Sequence, residues 1–167
     1  KFLDTSKLKS ESENAVDALS RFLTFASFEV GECYSHKNGG VGTVAQVDPE
    51  EGKVFFRFPD YVAPEDAKTP HAVFTFAGAR QYLRRLPRGH LRSRMSREPE
   101  AMVAMANQEP VKFIKLALKS LEQPLRVSSL KHEMLRYIMT DAEWKRWWSR
   151  SREAIRVDEW ISFEKTG

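Results

Sequence analysis

The chain has 167 residues, 41% hydrophobic and 30% charged, with 11 phenylalanines and 4 tryptophans; it can bury a core in one or two small domains, and this excludes a disordered polyelectrolyte. Its single cysteine, Cys33, cannot form an internal disulfide and fits a reducing, cytoplasmic setting. No stretch approaches the roughly 18 apolar residues of a membrane span, the start does not resemble a signal peptide, and the net charge is +4. Opening on Lys1 and closing on Glu164-Lys165-Thr166-Gly167, the chain reads as a piece of a longer protein.

Residues 1–27 read as a polar lead-in followed by an amphipathic helix over Ser12–Phe25, with Ala15, Val16, Leu19, Phe22 and Leu23 at helical spacing. From Phe28 the pattern changes to alternation broken by glycines. Phe28, Val30 and Cys33 suggest a first strand, Gly42–Val47 a second and Lys53–Phe58 a third. Asp48-Pro49-Glu50-Glu51-Gly52 supplies hairpin chemistry, since proline pre-sets a turn and glycine accepts a positive φ. A tight, glycine-rich turn is expected at His36–Gly42. It lacks the spacing of a phosphate loop, so it is read as structural. After a loop at Asp60–Pro70, His71–Phe76 resumes a strand pattern, and Ala77–Leu86 reads as a helix with Arg80, Arg84 and Arg85 on its polar side. Pro87 ends this part, and Arg88–Arg97 is read as the linker.

The remainder carries helical periodicity only. Helices are expected over Glu98–Asn107, from Pro110 to Leu121, from a cap at Ser128 or Ser129 to Ile138, and from the capping box Thr140-x-x-Glu143 to Ile155. Trp144, Trp147 and Trp148 fall on one face of the last helix and read as a core stripe. Lys145, Arg146, Arg150 and Arg152 point elsewhere. The fold expected is α+β: a helix, a small SH3-like or Tudor-like barrel over 28–87 and a helical bundle over 88–167.

Two stretches carry a resemblance. His36-Lys37-Asn38-Gly39-Gly40-Val41-Gly42-Thr43-Val44 resembles the H-K-x-x-G-x-G-x-V strand-turn-strand in the N-terminal regions of unusually long bacterial GreA/GreB-type transcription elongation factors. It is more distantly similar to the polymerase-binding barrel of CarD and of transcription-repair coupling factor. Glu143-Trp144-Lys145-Arg146-Trp147-Trp148, with Arg152 and Ile155, resembles the E-W-x-x-W-W helix closing the same region. Gly39 stands where such proteins often carry an aromatic, and Val73 where their H-x-M element has methionine. The resemblance implies an accessory module that binds RNA polymerase or adjacent DNA or RNA. It does not imply transcript cleavage, because the acidic-tipped helical hairpin of GreA and GreB has no counterpart here.

Residues 67–97 hold Lys68, Arg80, Arg84, Arg85, Arg88, Arg92, Arg94 and Arg97 and no acid, which leaves −4 for the rest of the chain. Such a field attracts phosphate or an acidic protein surface, and arginine favours bidentate contact with either. The expected contact set is therefore Arg80, Arg84, Arg85, Arg88, Arg92 and Arg94, with His36 and Lys37 at the barrel edge. No catalytic set, metal site or cofactor motif is expected: His36, His71, His90 and His132 are scattered and one cysteine makes no zinc site. Tyr34, Phe55, Phe56, Phe58 and Tyr61 would frame a methyl-ammonium cage only if exposed, and core filling is the better reading. A nonspecific nucleic-acid module and a structural scaffold remain the alternatives. They differ in salt-dependent binding to bare nucleic acid.

Overall fold

A computed structural model describes residues 26–36, 40–121 and 124–162, together with Leu19 and Leu23. The helix expected over Ser12–Phe25 lies outside these residues, apart from Leu19 and Leu23, which are helical and exposed. The chain divides into two compact units that meet between Pro87 and Arg88.

The first unit is a curled antiparallel sheet of five strands, a half-barrel. Its strands are β1 (Cys33–His36), β2 (Val41–Asp48), β3 (Lys53–Arg57), β4 (Ala72–Thr75) and β5 (Leu83–Arg85), in the order β4-β3-β2-β1-β5. A single helix, α1 (Phe76–Tyr82), lies between β4 and β5 and starts on Thr75, whose hydroxyl accepts from the Gly78 amide. The β2–β3 hairpin closes as its sequence dictates. Asp48 Oδ1 accepts from the amides of Glu50 and Glu51 at 2.9 and 3.0 Å, and Gly52 takes φ +65°. Gly42 is required for a different reason: a Cβ there would meet the Phe58 ring at 2.6 Å. Phe28, Tyr34, Val44, Val54, Phe56, Ala79 and Leu83 form the core. Within it the Tyr34 and Phe56 rings meet edge to face, as do those of Phe56 and Phe74.

Three expectations are corrected here. The first strand begins at Cys33, not Phe28: Gly31 turns the chain at φ +88°, Phe28 packs in the core and Val30 is exposed. The helix read over Ala77–Leu86 stops at Tyr82, and Leu83–Arg85 pairs with β1 as a strand. The supposed linker Arg88–Arg97 is largely a helix, because Leu91, Ser93 and Met95 are buried.

The second unit is helical: α2 (Leu91–Arg97), α3 (Pro99–Gln108), α4 (Pro110–Ser120), α5 (Val127–Tyr137) and α6 (Asp141–Arg156). Pro99 and Pro110 occupy first-turn positions, where the missing amide costs nothing. The expected serine cap of α5 is absent; the helix starts at Val127 after Arg126, with no side-chain cap. By contrast, the Thr140–Glu143 capping box of α6 is complete. The core gathers Leu91, Met95, Met102, Phe113, Met134 and Ile155 around Trp144 and Trp147. Trp147 is 1% exposed, and its indole N–H donates to the Ala106 carbonyl at 2.7 Å. That carbonyl belongs to the last turn of α3, where no intrahelical donor reaches it, so one side chain both fills the core and satisfies a helix end.

Replacing Trp147 with phenylalanine removes this donor and part of the packing. The unfolding free energy should fall by about 2–4 kcal/mol in urea melts, more than for phenylalanine at half-exposed Trp148. A second test concerns α2, whose N-cap is His90: its Nδ1 accepts from the Arg92 amide at 3.2 Å, which needs a neutral imidazole. Burial holds the His90 pKa below its ordinary value; Arg92 acts in the same direction, while the Ser120 backbone and Glu133 oppose it. The unfolded chain therefore protonates first as pH falls. The contribution is present above the ordinary histidine pKa of about 6.5 and is lost as pH drops below it. The melting temperature should decline from about pH 7.5 to about pH 5.5, and His90→Asn, which keeps the cap, should flatten that part of the profile.

Candidate partner and nucleic-acid interface

In the first unit the β5 strand decides where the arginines point. Side chains alternate along a strand, so Leu83 and Arg85 share the inner face with Tyr34 and His36, and Arg84 is turned to the other face. Arg80 and Arg85 line a hollow of about 250 Å³ together with Ser27, Phe28, Tyr34 and Leu83. Arg85 is not available as a free cation. Its guanidinium lies 3.4 Å from the buried Glu32 carboxylate and 3.9 Å from Glu29. Burial also raises the Tyr34 phenol pKa, and its hydroxyl donates to the Ser27 carbonyl at 2.7 Å.

His36 ends β1 with its ring 6.4 Å from those of Phe58, Phe74 and Tyr82, which places it over the aromatic end of the sheet. Lys37 lies outside the described residues. The aromatics weighed as a cage are mostly spent on packing: Phe56 and Tyr34 are buried, Phe55 and Phe58 half-buried, and only Tyr61 is exposed.

The remaining predicted arginines belong to the second unit. Arg88 is exposed. Arg92 forms a bidentate pair with Glu133, at 2.8 and 2.5 Å, which ties α2 to α5, and Glu133 is itself buried. Arg94 pairs with Glu98 at 2.6 Å one turn along α2. Arg85 and Arg92 thus meet acids that lie far away in sequence, while Arg94 meets one four residues on. Arg80, Arg84 and Arg88 remain exposed.

A group outside the expected contact set lies on α6. Arg146 and Arg150, one turn apart and both exposed, border a cleft of about 680 Å³ between α3, the α5–α6 turn and α6. Val103, Ile138 and Met139 supply its apolar surface, and Asn107 accepts from Arg150 at 3.4 Å. The i, i+4 arginine spacing opposite the tryptophan face was readable, but the apolar floor comes from other elements. At the helix start, Asp141 lies between Lys131 at 2.6 Å and Lys145 at 2.8 Å, hydrogen bonds that pull its carboxyl down to about 2. Glu143 is also lowered, by the Thr140 amide and hydroxyl that donate to it. Among the described residues no group of His, Cys, Asp and Glu could hold a metal ion, and no helix is long and apolar enough to cross a membrane.

The three-residue connection between α5 and α6 has the length of a helix-turn-helix turn. Residues 92–166 match the family model of the GRAD helix-turn-helix domain. Along 83% of its length the chain is 27% identical to the transcription elongation factor GreA of Chlamydia pneumoniae, covering 18% of that protein. GreA of Chlamydia trachomatis matches at 27% over 84% of the chain, or 19% of the relative. A putative GreA-associated domains protein of Treponema pallidum is 23% identical over 93% of the chain, or 22% of its own length. The chain therefore spans about a fifth of these relatives. No solved structure matches it. The matches support a transcription-related accessory region whose helical part is similar to the GRAD helix-turn-helix domain. The chain is thus similar to GreA-associated accessory regions, in keeping with the resemblance carried by the two sequence stretches.

Because the arginines differ in their partners, charge reversal should separate them. Arg92→Glu leaves Glu133 buried beside a like charge and should cost about 3–5 kcal/mol. Arg85→Glu, half-exposed beside buried Glu32, should cost about 1–3 kcal/mol, and Arg84→Glu less than about 0.5 kcal/mol. Thermal melts of the three variants check the order.

Proposed function

We propose that this chain is a non-catalytic accessory module of a GreA-type transcription elongation factor that contacts RNA polymerase and the nucleic acid beside it. The observation that carries the reading is the similarity to GreA along more than four-fifths of the chain. The exposed arginines Arg80, Arg84 and Arg88 give it a chemical means, since guanidinium groups engage phosphates and carboxylates alike. His36, at the sheet end, is a candidate further contact. Arg85, Arg92 and Arg94 have acids of their own and serve mainly to hold the units together internally.

A second reading, nucleic-acid binding by the helical unit alone, is favoured by the GRAD helix-turn-helix match and the exposed arginines of α6. The two differ in what is retained. The whole chain, immobilised, is offered purified bacterial RNA polymerase with and without nuclease. Retention that survives nuclease supports the polymerase module, retention lost with nuclease supports the second reading, and no retention in either arm overturns both. Under the first reading, Arg84→Glu should weaken capture about threefold or more at low salt with the melting temperature unchanged.

A further inference from the structure

The α3–α6 cleft of the second unit combines an apolar floor with a cationic rim. The floor comes from Val103 of α3 and from Ile138 and Met139 of the turn before α6, all half-buried. The rim comes from Arg146 and Arg150. One carboxylate borders the cleft, that of Glu143, and it is turned back on Thr140, accepting from its amide at 2.7 Å and its hydroxyl at 2.8 Å. Lys145 is engaged by Asp141 at 2.8 Å. Glu143 keeps its negative charge and Arg146 lies in its field, so the two arginines together leave the cleft a cationic excess of about one charge, centred on Arg150. A volume of about 680 Å³ is of the size that takes a few side chains rather than a single ion.

We propose that this cleft docks a short amphipathic, acidic segment of a partner protein, with an apolar side chain on Val103, Ile138 and Met139 and carboxylates on Arg146 and Arg150. Charge complementarity selects an acidic occupant, and the apolar floor favours a peptide over a nucleic-acid backbone, which would leave that surface uncovered. Arginine at both rim positions suits bidentate carboxylate contact. The proposal stands apart from the arginines of the first unit and does not depend on polymerase as the partner.

The test uses the whole chain and a short fluorescent peptide of Glu and Asp with leucines one helical turn apart, read by anisotropy. Saturable binding is expected, weakened about tenfold or more by Arg146→Glu with Arg150→Glu, and similarly by replacing the peptide leucines with serine. Met139→Gln should weaken the leucine peptide and leave the serine peptide unchanged. Melting curves confirm that the variants fold, and Arg146→Ala and Arg150→Ala replace the reversals if those do not. Equal binding of the two peptides would reduce the cleft to general charge attraction and overturn the proposal. So would no binding, or a labelled DNA duplex binding through Arg146 and Arg150 more tightly than the leucine peptide. Sedimentation showing self-association of the chain that those two substitutions abolish would assign the cleft to a second copy instead, which also overturns it.

Discussion

The pairing of Leu83–Arg85 with β1 governs the first unit. Three backbone positions leave the helical path and complete a sheet whose other strands form a simple meander. This turns Leu83 into the core and carries the Arg85 guanidinium to Glu32, a carboxylate that burial would otherwise make costly. Had the helix continued to Leu86, Arg80 and Arg84 would have been neighbours on one helical face. In the sheet, Arg84 instead faces away from Arg85, and the arginines divide into one that supports the fold and others that face water.

The second unit faces a related problem at its helix ends. Short helices end often, and each end exposes carbonyls or amides that must find partners. Trp147 reaches the end of α3, Ser120 Oγ accepts from the Leu91 amide at the start of α2, and Thr140 with Glu143 closes the start of α6. The buried pair Arg92–Glu133 adds a cross-link between α2 and α5. Such pairs contribute less net stability than their geometry suggests, because both partners leave water, but they penalise any arrangement that separates them.

Much of this architecture was legible in the sequence because its cause is local. The alternation of Val41–Asp48 and Lys53–Arg57, the Asp48–Gly52 turn, the prolines at 99 and 110 and the Thr140–Glu143 box all act within a few residues. Two elements were missed for physical reasons. Leu83-Arg84-Arg85 has no periodicity that distinguishes helix from strand, so tertiary pairing decides it. In α2, five polar residues conceal the Leu91–Met95 stripe that buries it. The contact set was the least legible part: Glu133 lies 41 residues from Arg92, and no local pattern reports that a basic run will be neutralised from a distance. The floor of the α6 cleft is likewise assembled from α3 and a turn, which the spacing on α6 does not foretell.

One detail of α6 bears on how such a unit meets a polyanion. A helix beginning normally offers bare amides and a positive dipole end, a natural seat for a phosphate. Here Glu143 takes the Thr140 amide, and Asp141, held ionised down to about pH 2 by two lysines, places a second negative charge over the first turn. Lys131 and Lys145 balance these two carboxylates, so the entrance is self-neutralised and has no surplus charge to offer a phosphate. The cationic surface of α6 lies instead along its flank, at the Arg146–Arg150 rim of the cleft, so an anionic group approaching this helix is met from the side rather than at its beginning.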